Sequence, residues 1–166
     1  MIIAISGLTG SGKNTLGELI AEELNYKLVC PTFKDLAKKE GVPLMEFQKM
    51  AEKDPNIDKK FDELLKEQAK GNCVVTTWLG PWMVDANLKI KLTASIETRA
   101  KRIAERDGMD LKDAIKHVKE RDERNRKRYM KLYNIDIYDE SIYDMVLDSD
   151  RYNPEELLKI VVEKIC

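Results

Sequence analysis

Short apolar stretches alternate along the chain with longer segments in which apolar residues recur every three or four positions. Five stretches predict strands, at 1–6, 26–30, 73–77, 88–92 and 144–148, and seven segments predict helices, at 13–24, 33–40, 43–53, 57–70, 96–107, 111–133 and 154–165. The middles of these strands are almost entirely apolar or β-branched, which is typical of strands covered on both faces. The pattern therefore predicts an α/β fold, with a five-stranded parallel sheet flanked by helices through right-handed crossovers.

Residues suited to helix ends flank several of the predicted helices. The expected N-terminal caps are Ser95, Asp110 and Asn153, whose side chains can accept a bond from a free backbone N–H. The expected C-terminal caps are Gly41, Gly71 and Gly108.

Length and charge narrow the class of protein. A chain of 166 residues predicts a single domain spanning 1–166. The net charge of −1 gives no general attraction to nucleic acid, so none is expected as a partner. Neither a signal segment nor an apolar stretch of membrane-spanning length is evident, which predicts a cytoplasmic protein without a membrane partner. A monomer is expected, and the widely spaced Cys30, Cys73 and Cys166 favour reduced thiols over a zinc site or disulfides.

A glycine-rich segment stands between the first predicted strand and the first predicted helix. It reads Gly7-Leu8-Thr9-Gly10-Ser11-Gly12-Lys13-Asn14-Thr15. The spacing GxxxxGK is that of a loop whose backbone N–H groups surround phosphate, with the lysine reaching the outer phosphates. The N-terminal end of the following helix adds positive potential at the same point. We therefore expect all nine residues to contact the phosphates of a nucleotide.

The residue after Lys13 departs from the usual pattern. A hydroxyl residue is expected there to approach Mg²⁺, but the position holds Asn14 and the hydroxyl comes next, on Thr15. Thr15 is the expected contact for Mg²⁺, either directly or through water.

Arginines recur at helical spacing in two later segments. Arg121, Arg124 and Arg128 form one stripe, and a second stripe one helix earlier contains Arg99, Arg102 and Arg106. Guanidinium groups bind phosphate with paired N–H donors and keep their charge at any working pH. Interspersed acids leave a solvated, salt-bridged surface as the alternative. Because a phosphate loop is present, Arg121 and Arg128 are expected to act in phosphoryl transfer. For Arg102 and Arg106, phosphate binding and a solvated surface both remain open. Arg99 is expected at the surface.

These features together resemble a cytidylate kinase of the archaeal type, within the P-loop nucleoside monophosphate kinases. The resemblance covers nearly the whole chain, including the ending at 141–148, and is more specific in the segments 46–58, 79–83 and 128–136 than in the phosphate loop. It implies a three-layer kinase fold with a helical monophosphate-binding flap at about 31–70 and a lid at about 108–135. It also implies transfer of the γ-phosphoryl group of ATP to CMP or dCMP with Mg²⁺, with Lys13, Arg121 and Arg128 as catalytic residues.

The acceptor side departs from the family pattern. The family has a Ser-Ala-Gly segment and an arginine before its second helix, whereas this chain has Cys30-Pro31-Thr32-Phe33-Lys34. The family also has an acid, a glycine and an arginine after the third strand, where this chain has Thr76-Thr77-Trp78. The expected acceptor contacts are therefore Lys34, Trp78 and Arg124, with Trp78 either stacking on a base or packing in the core.

Two alternatives to CMP phosphorylation remain at this stage. One is a P-loop phosphotransferase that acts on another nucleotide or on a small molecule. The other is a nucleotide-binding module that no longer transfers phosphate.

Overall fold

The computed structural model describes the backbone of residues 1–166 and all side chains except those of Leu44, Met45 and Gln48. Five strands form one parallel sheet, in the spatial order β2-β3-β1-β4-β5. The strands are β1 (Ile2–Ser6), β2 (Lys27–Val29), β3 (Cys73–Thr76), β4 (Leu88–Thr93) and β5 (Met145–Asp148). The helices are α1 (Lys13–Leu24), α2 (Phe33–Glu40), α3 (Leu44–Lys53), α4 (Pro55–Gln68), α5 (Gly80–Met83), α6 (Ile96–Asp107), α7 (Leu111–Tyr133) and α8 (Pro154–Ile165).

The two faces of the sheet are covered by different helices. Ile3, Ile5 and Ile90 are fully buried on the face that packs against α1 and α8. Ala4 and Val75 point to the other face, where the end of α4 and the residues after α5 cover them. Alternate residues of a strand point to opposite faces, so the unbroken apolar runs in these strands follow from this double covering.

The order of the strands determines where a ligand can bind. From β1 the chain crosses to the edge strand β2, returns to β3 beside β1, and then passes to β4 and β5 on the other side of β1. The loops that follow β1 and β3 therefore diverge at the carboxyl edge of the sheet, which is where open α/β sheets form a binding crevice. The 7–15 loop lies at this edge.

Two helical elements extend from the sheet. Helices α2, α3 and α4 form a small unit with its own buried cluster, which includes Leu36, Phe47 and Ile57. Helices α6 and α7 pack along each other around Ala100, Ile103 and residues of α7. In the described part of the chain, no helix has both the length and the apolar character needed to cross a membrane.

The strand predictions and the predicted N-terminal caps are confirmed. Ser95 accepts a hydrogen bond from the backbone N–H of Thr98, and Asp110 and Asn153 cap α7 and α8 in the same way. Gly41 and Gly108 are the C-terminal caps of α2 and α6.

Two helix predictions are wrong in detail, both for local reasons. Helix α4 begins at Pro55, two residues before the prediction, because Asp54 accepts a bond from the N–H of Asn56 and Pro55 suits a first helical position. The helix ends at Gln68, so Gly71 is not its cap but belongs to the turn before β3. The four-residue helix α5 was not predicted, since one turn is too short to show a helical period.

Candidate active site

The 7–15 loop connects β1 to α1, and close packing requires glycine at its start. A Cβ atom on Gly7 would lie 2.3 Å from Ser11 Oγ and 2.7 Å from the carbonyl oxygen of Leu92. Gly12, which precedes α1, has a φ of 92°, a conformation that side-chain-bearing residues rarely adopt. The glycines therefore allow the tight turn that brings the chain into α1.

The N-terminus of α1 differs from those of the other long helices. Helices α2, α3, α4, α6, α7 and α8 each carry an acidic residue in the first turn, as the positive end of a helix favours. The first turn of α1 contains Lys13, Asn14 and Thr15 and has no acid, and Gly12 has no side chain with which to cap it. The free N–H groups and the positive potential of this turn are therefore available to an external anion.

Arg102 of α6 binds the outer side of the loop. Its Nη1 atom donates to the carbonyl oxygens of Gly10 and Ser11, both at 3.1 Å, and to Ser149 Oγ at 3.0 Å. Its Nη2 atom donates to the carbonyl oxygen of Ser149. Arg102 thus fits neither of its two readings as they were stated, because its donors bind the backbone of the loop and Ser149.

Arg99 of α6 is buried, so its expected place at the surface is wrong. It donates to the carbonyl oxygens of Thr9 and Ala94, each at 3.2 Å, and forms a 2.7 Å ion pair with Asp122 of α7. Burial raises the pKa of Asp122, and the Arg99 guanidinium opposes that shift. The pair attaches α7 to the phosphate loop through Arg99.

Lys13 is held without a carboxylate bond in the described part of the chain. Its Nζ atom lies 5.8 Å from the centre of the Trp78 ring. Burial, followed by the charge of Arg121, lowers the pKa of Lys13 to about 8. An ammonium in such surroundings gains strongly from an anion beside it.

A row of side chains runs from Lys13 to α2. Trp78, which follows β3, lies 6.4 Å from the Tyr129 ring of α7, centre to centre. The Arg128 guanidinium lies 5.4 Å from the centre of Tyr129 and 5.7 Å from the centre of Phe33 in α2. The row joins the phosphate loop, α7 and the helices of segment 31–70.

Two acids of α4 bond to α7 at the end of this row. Asp58 accepts a 2.5 Å hydrogen bond from Arg128 Nη2, and Asp62 accepts one from the hydroxyl of Tyr133. Burial raises the pKa of Asp58, with Arg128 opposing the shift. Burial raises the pKa of Asp62 to about 6, although the Tyr133 hydroxyl acts against it.

A cavity of about 520 Å³ adjoins the other end of the loop. Ser11, Gly12 and Thr15 form one wall, and Arg102 and Tyr152 contribute to the others. It lies on the α8 side of α1, away from Trp78 and Arg128. The phosphate loop therefore lies between this cavity and the row of side chains that begins at Lys13.

The remaining predicted site residues are more exposed. Arg121 is exposed on α7, and its charge contributes to the lowered pKa of Lys13. Arg124 is exposed on the same helix, and Lys34 is exposed on α2. Arg106 pairs with its neighbour Asp107 at 2.8 Å. The structure thus brings Lys13, Trp78 and Arg128 together and leaves Lys34 and Arg124 at the rim.

The donor chemistry near the loop fits a magnesium ion that arrives with a nucleotide. Among the described residues, no three histidine, cysteine or acidic side chains cluster closely enough to hold a metal. Thr15 lies exposed in the first turn of α1 and offers a hydroxyl. Mg²⁺ commonly keeps several waters and is held largely by substrate phosphates, so one protein hydroxyl is compatible with it.

Sequence reasoning missed several residues of the site. Asp58, Asp62 and Asp122 stand in strongly charged segments that resemble solvated helix surfaces. Their one signal in the sequence is position, because Asp58 and Asp62 lie four residues apart and so share one face of a helix.

Comparison with known proteins agrees with this geometry. The sequence profile of the cytidylate kinase-like family matches residues 2–151. The chain belongs to this family. The cytidylate kinase of Pyrobaculum islandicum is 45% identical and aligns with 100% of this chain and 93% of its own length. The cytidylate kinase of Pyrococcus horikoshii is also 45% identical, over 97% of this chain and 86% of its own.

A solved structure supports the fold of this cytidylate kinase-like chain. Shikimate kinase from Bacteroides thetaiotaomicron superposes with a TM-score of 0.67 at 16% identity, covering 99% of this chain and 98% of its own. The three-layer P-loop kinase fold predicted from the sequence is therefore confirmed.

Proposed function

We propose that the protein transfers the γ-phosphoryl group of ATP to CMP or dCMP, giving ADP and the corresponding diphosphate. The full-length similarity to cytidylate kinases supports this reaction. The observation that carries it is the row of side chains from Lys13 through Trp78 and Tyr129 to Arg128, which connects the phosphate loop to the helices of segment 31–70. A kinase needs such a connection because donor and acceptor must meet in line at the transferred group.

The donor would bind across the 7–15 loop. The backbone N–H groups of the loop and the first turn of α1 would hold the β- and γ-phosphates, and Lys13 would follow the charge onto the transferred group. The adenosine would occupy the 520 Å³ cavity beside Thr15 and Arg102. Mg²⁺ would approach the hydroxyl of Thr15 and, when bound, would neutralise charge on the phosphates.

The acceptor would occupy the space beyond Trp78. A phosphate oxygen of CMP would attack the γ-phosphorus, and ADP would leave on the opposite side. Arg128 and Arg121 would stabilise the negative charge that spreads over the transferred group, while Lys34 and Arg124 would attract the acceptor phosphate at the rim. Trp78 offers a face on which the base can stack.

We assign residues 31–70 to a flap and residues 108–135 to a lid within one kinase domain that spans 1–166. Closing these two elements would exclude water, which would otherwise hydrolyse ATP. We also propose that the protein works as a monomer in the cytoplasm.

Replacing Lys13 or Arg128 by alanine tests these roles. Each change is expected to lower kcat by roughly 100-fold or more, the range seen when one charge-stabilising donor is lost. Lys119→Ala, an exposed change on α7, is the matched control and should leave kcat unchanged. Near-native turnover in either site variant would show that the roles are misassigned.

The altered acceptor residues favour a second candidate, a phosphotransferase with another acceptor. Arg128 is already paired with Asp58, and Trp78 stands where the family has an arginine. ADP release should therefore be measured with CMP, dCMP, UMP, AMP, dTMP and small hydroxy acids. Highest kcat/KM with CMP or dCMP supports the proposal, a different best acceptor supports this candidate, and ATP binding without turnover indicates a binding module.

A further inference from the structure

Two buried aspartates on α4 have no role in the packing of the flap itself. Asp58 is 5% and Asp62 is 6% exposed, while the other acids of segment 31–70 lie at the surface. Burying a carboxylate is unfavourable unless a partner compensates for the lost water. Both lie on one face of α4, one helical turn apart, where like charges repel. Apolar residues at these two positions could be buried without the desolvation cost and without the charge repulsion.

The partners that compensate both carboxylates lie on the lid helix α7. Arg128 donates to Asp58, and the hydroxyl of Tyr133 donates to Asp62. These residues are about seventy positions apart in sequence, so the bonds form only when α4 and α7 lie together. The two acids therefore make direct bonds between the flap and the lid.

Arg128 is fixed on three sides by these surroundings. Phe33 and Tyr129 lie 5.7 Å and 5.4 Å from its guanidinium, and Asp58 holds Nη2. Its Nε atom is buried and has no hydrogen-bond partner among the described residues. A guanidinium without the Asp58 bond could turn toward solvent, because the aromatic contacts alone do not fix its rotation.

We propose that Asp58 is a positioning residue that holds Arg128 for phosphoryl transfer, and that the bonds of Asp58 and Asp62 to α7 form a latch that closes flap and lid together. The inference rests on the proposed function, because Arg128 must meet the transferred group. Asp58 occupies one amino group of the guanidinium and leaves other N–H donors for phosphate oxygens. The buried, unpartnered Nε is one of these donors.

The test is steady-state kinetics with ATP and CMP on Asp58→Asn, Arg128→Ala and the double variant. Asp58→Asn keeps the shape and removes the charge, and kcat should fall roughly tenfold or more, in line with the loss of a charge-assisted hydrogen bond. The KM for ATP should stay within about twofold, because the donor loop is untouched. Glu63→Gln, an exposed change on the same helix, is the matched control and should behave as wild type.

The double variant separates positioning from general support of the fold. If Asp58 acts through Arg128, adding Asp58→Asn to Arg128→Ala should cause no further loss of kcat. The proposal would be overturned if the fold-loss of kcat in the double variant equalled the product of the two single losses. An unchanged kcat in Asp58→Asn would overturn it as well. If Asp58→Asn fails to fold, Tyr133→Phe is measured instead, because it removes the bond to Asp62 and keeps every charge. A several-fold lower kcat in Tyr133→Phe would support the latch, and an unchanged kcat would overturn it. If the wild-type protein is inactive with every acceptor, the proposed function is refuted. If the wild type is active and the variants keep its kcat, only this inference is refuted.

Discussion

Replacing Arg99 by methionine is expected to lower the free energy of unfolding by about 3–5 kcal/mol, the range for breaking a buried ion pair. The Arg99 and Asp122 side chains are only 4% and 7% exposed, and their charged atoms are 2.7 Å apart. At that distance, an effective dielectric constant of about 20 gives an attraction of about 6 kcal/mol, part of which only offsets the removal of both groups from water. Methionine fills much of the same volume as arginine. The loss of unfolding free energy therefore comes mainly from the Asp122 carboxylate, which stays buried without its partner.

The stranded carboxylate also predicts how the deficit changes with pH. Burial already raises the pKa of Asp122, and removing Arg99 takes away the main group that opposes that shift. A carboxyl whose pKa is higher in the folded state binds more protons when folded, so acid stabilises the folded variant. The deficit relative to wild type should therefore shrink as pH falls from 7 toward 5.

Guanidinium chloride unfolding followed by circular dichroism measures the effect. With a slope of about 4 kcal/mol per molar, the midpoint should fall by roughly 1 M. The double variant Arg99→Met/Asp122→Leu removes both charges and should recover most of the loss, because an apolar pair avoids the desolvation penalty. A loss of unfolding free energy below about 1 kcal/mol in Arg99→Met would refute the reasoning. So would a loss in the double variant equal to the sum of the losses in the two single variants.

Two further predictions follow from packing and from protonation. A Cβ atom on Gly17 would lie 2.1 Å from Cγ2 of Thr76, so Gly17→Ala should cost roughly 1–3 kcal/mol of unfolding free energy. Adding Thr76→Ser, which removes that methyl group, should restore most of it; a single variant as stable as wild type would contradict the packing. Because the pKa of Lys13 is about 8 in the free protein, ATP binding at pH 8.5 should take up a proton, and affinity should fall by up to about tenfold per pH unit above 8. Calorimetry in two buffers of different ionisation enthalpy measures the uptake, which should vanish in Lys13→Arg and persist in Cys30→Ser.

Features encoded by neighbouring residues were predictable from the sequence. The strand β1, the glycine loop and α1 follow from an apolar run, a fixed spacing and a helical period. Asp110 is a cap because its side chain reaches the N–H of Lys112, two residues on. Such short-range chemistry does not depend on the rest of the fold.

Long-range pairings were beyond the same reasoning. Arg99 and Arg124 look alike in sequence, each within a charged helix, yet one is buried against Asp122 and the other is exposed. Asp58 meets Arg128 only because α4 and α7 approach each other. The resemblance to cytidylate kinases predicted roles for Arg121 and Arg128 but gave no partner for them, since the partner depends on how two helices pack.

The arginines behind the phosphate loop explain how a short glycine-rich turn presents its N–H groups to an anion. Arg99 and Arg102 draw the carbonyl oxygens of Thr9, Gly10 and Ser11 toward α6. In a trans peptide the C=O and the following N–H point in opposite directions, so these bonds turn the N–H groups of Gly10 and Gly12 away from α6, whereas the N–H of Ser11 donates to the carbonyl oxygen of Leu8. Asp122 neutralises Arg99, whereas Arg102 forms no ion pair within the described residues. The charge of Arg102 therefore adds positive potential behind the loop. The alignment of the N–H donors in the 7–15 loop thus depends on two arginines that lie about ninety positions away in sequence.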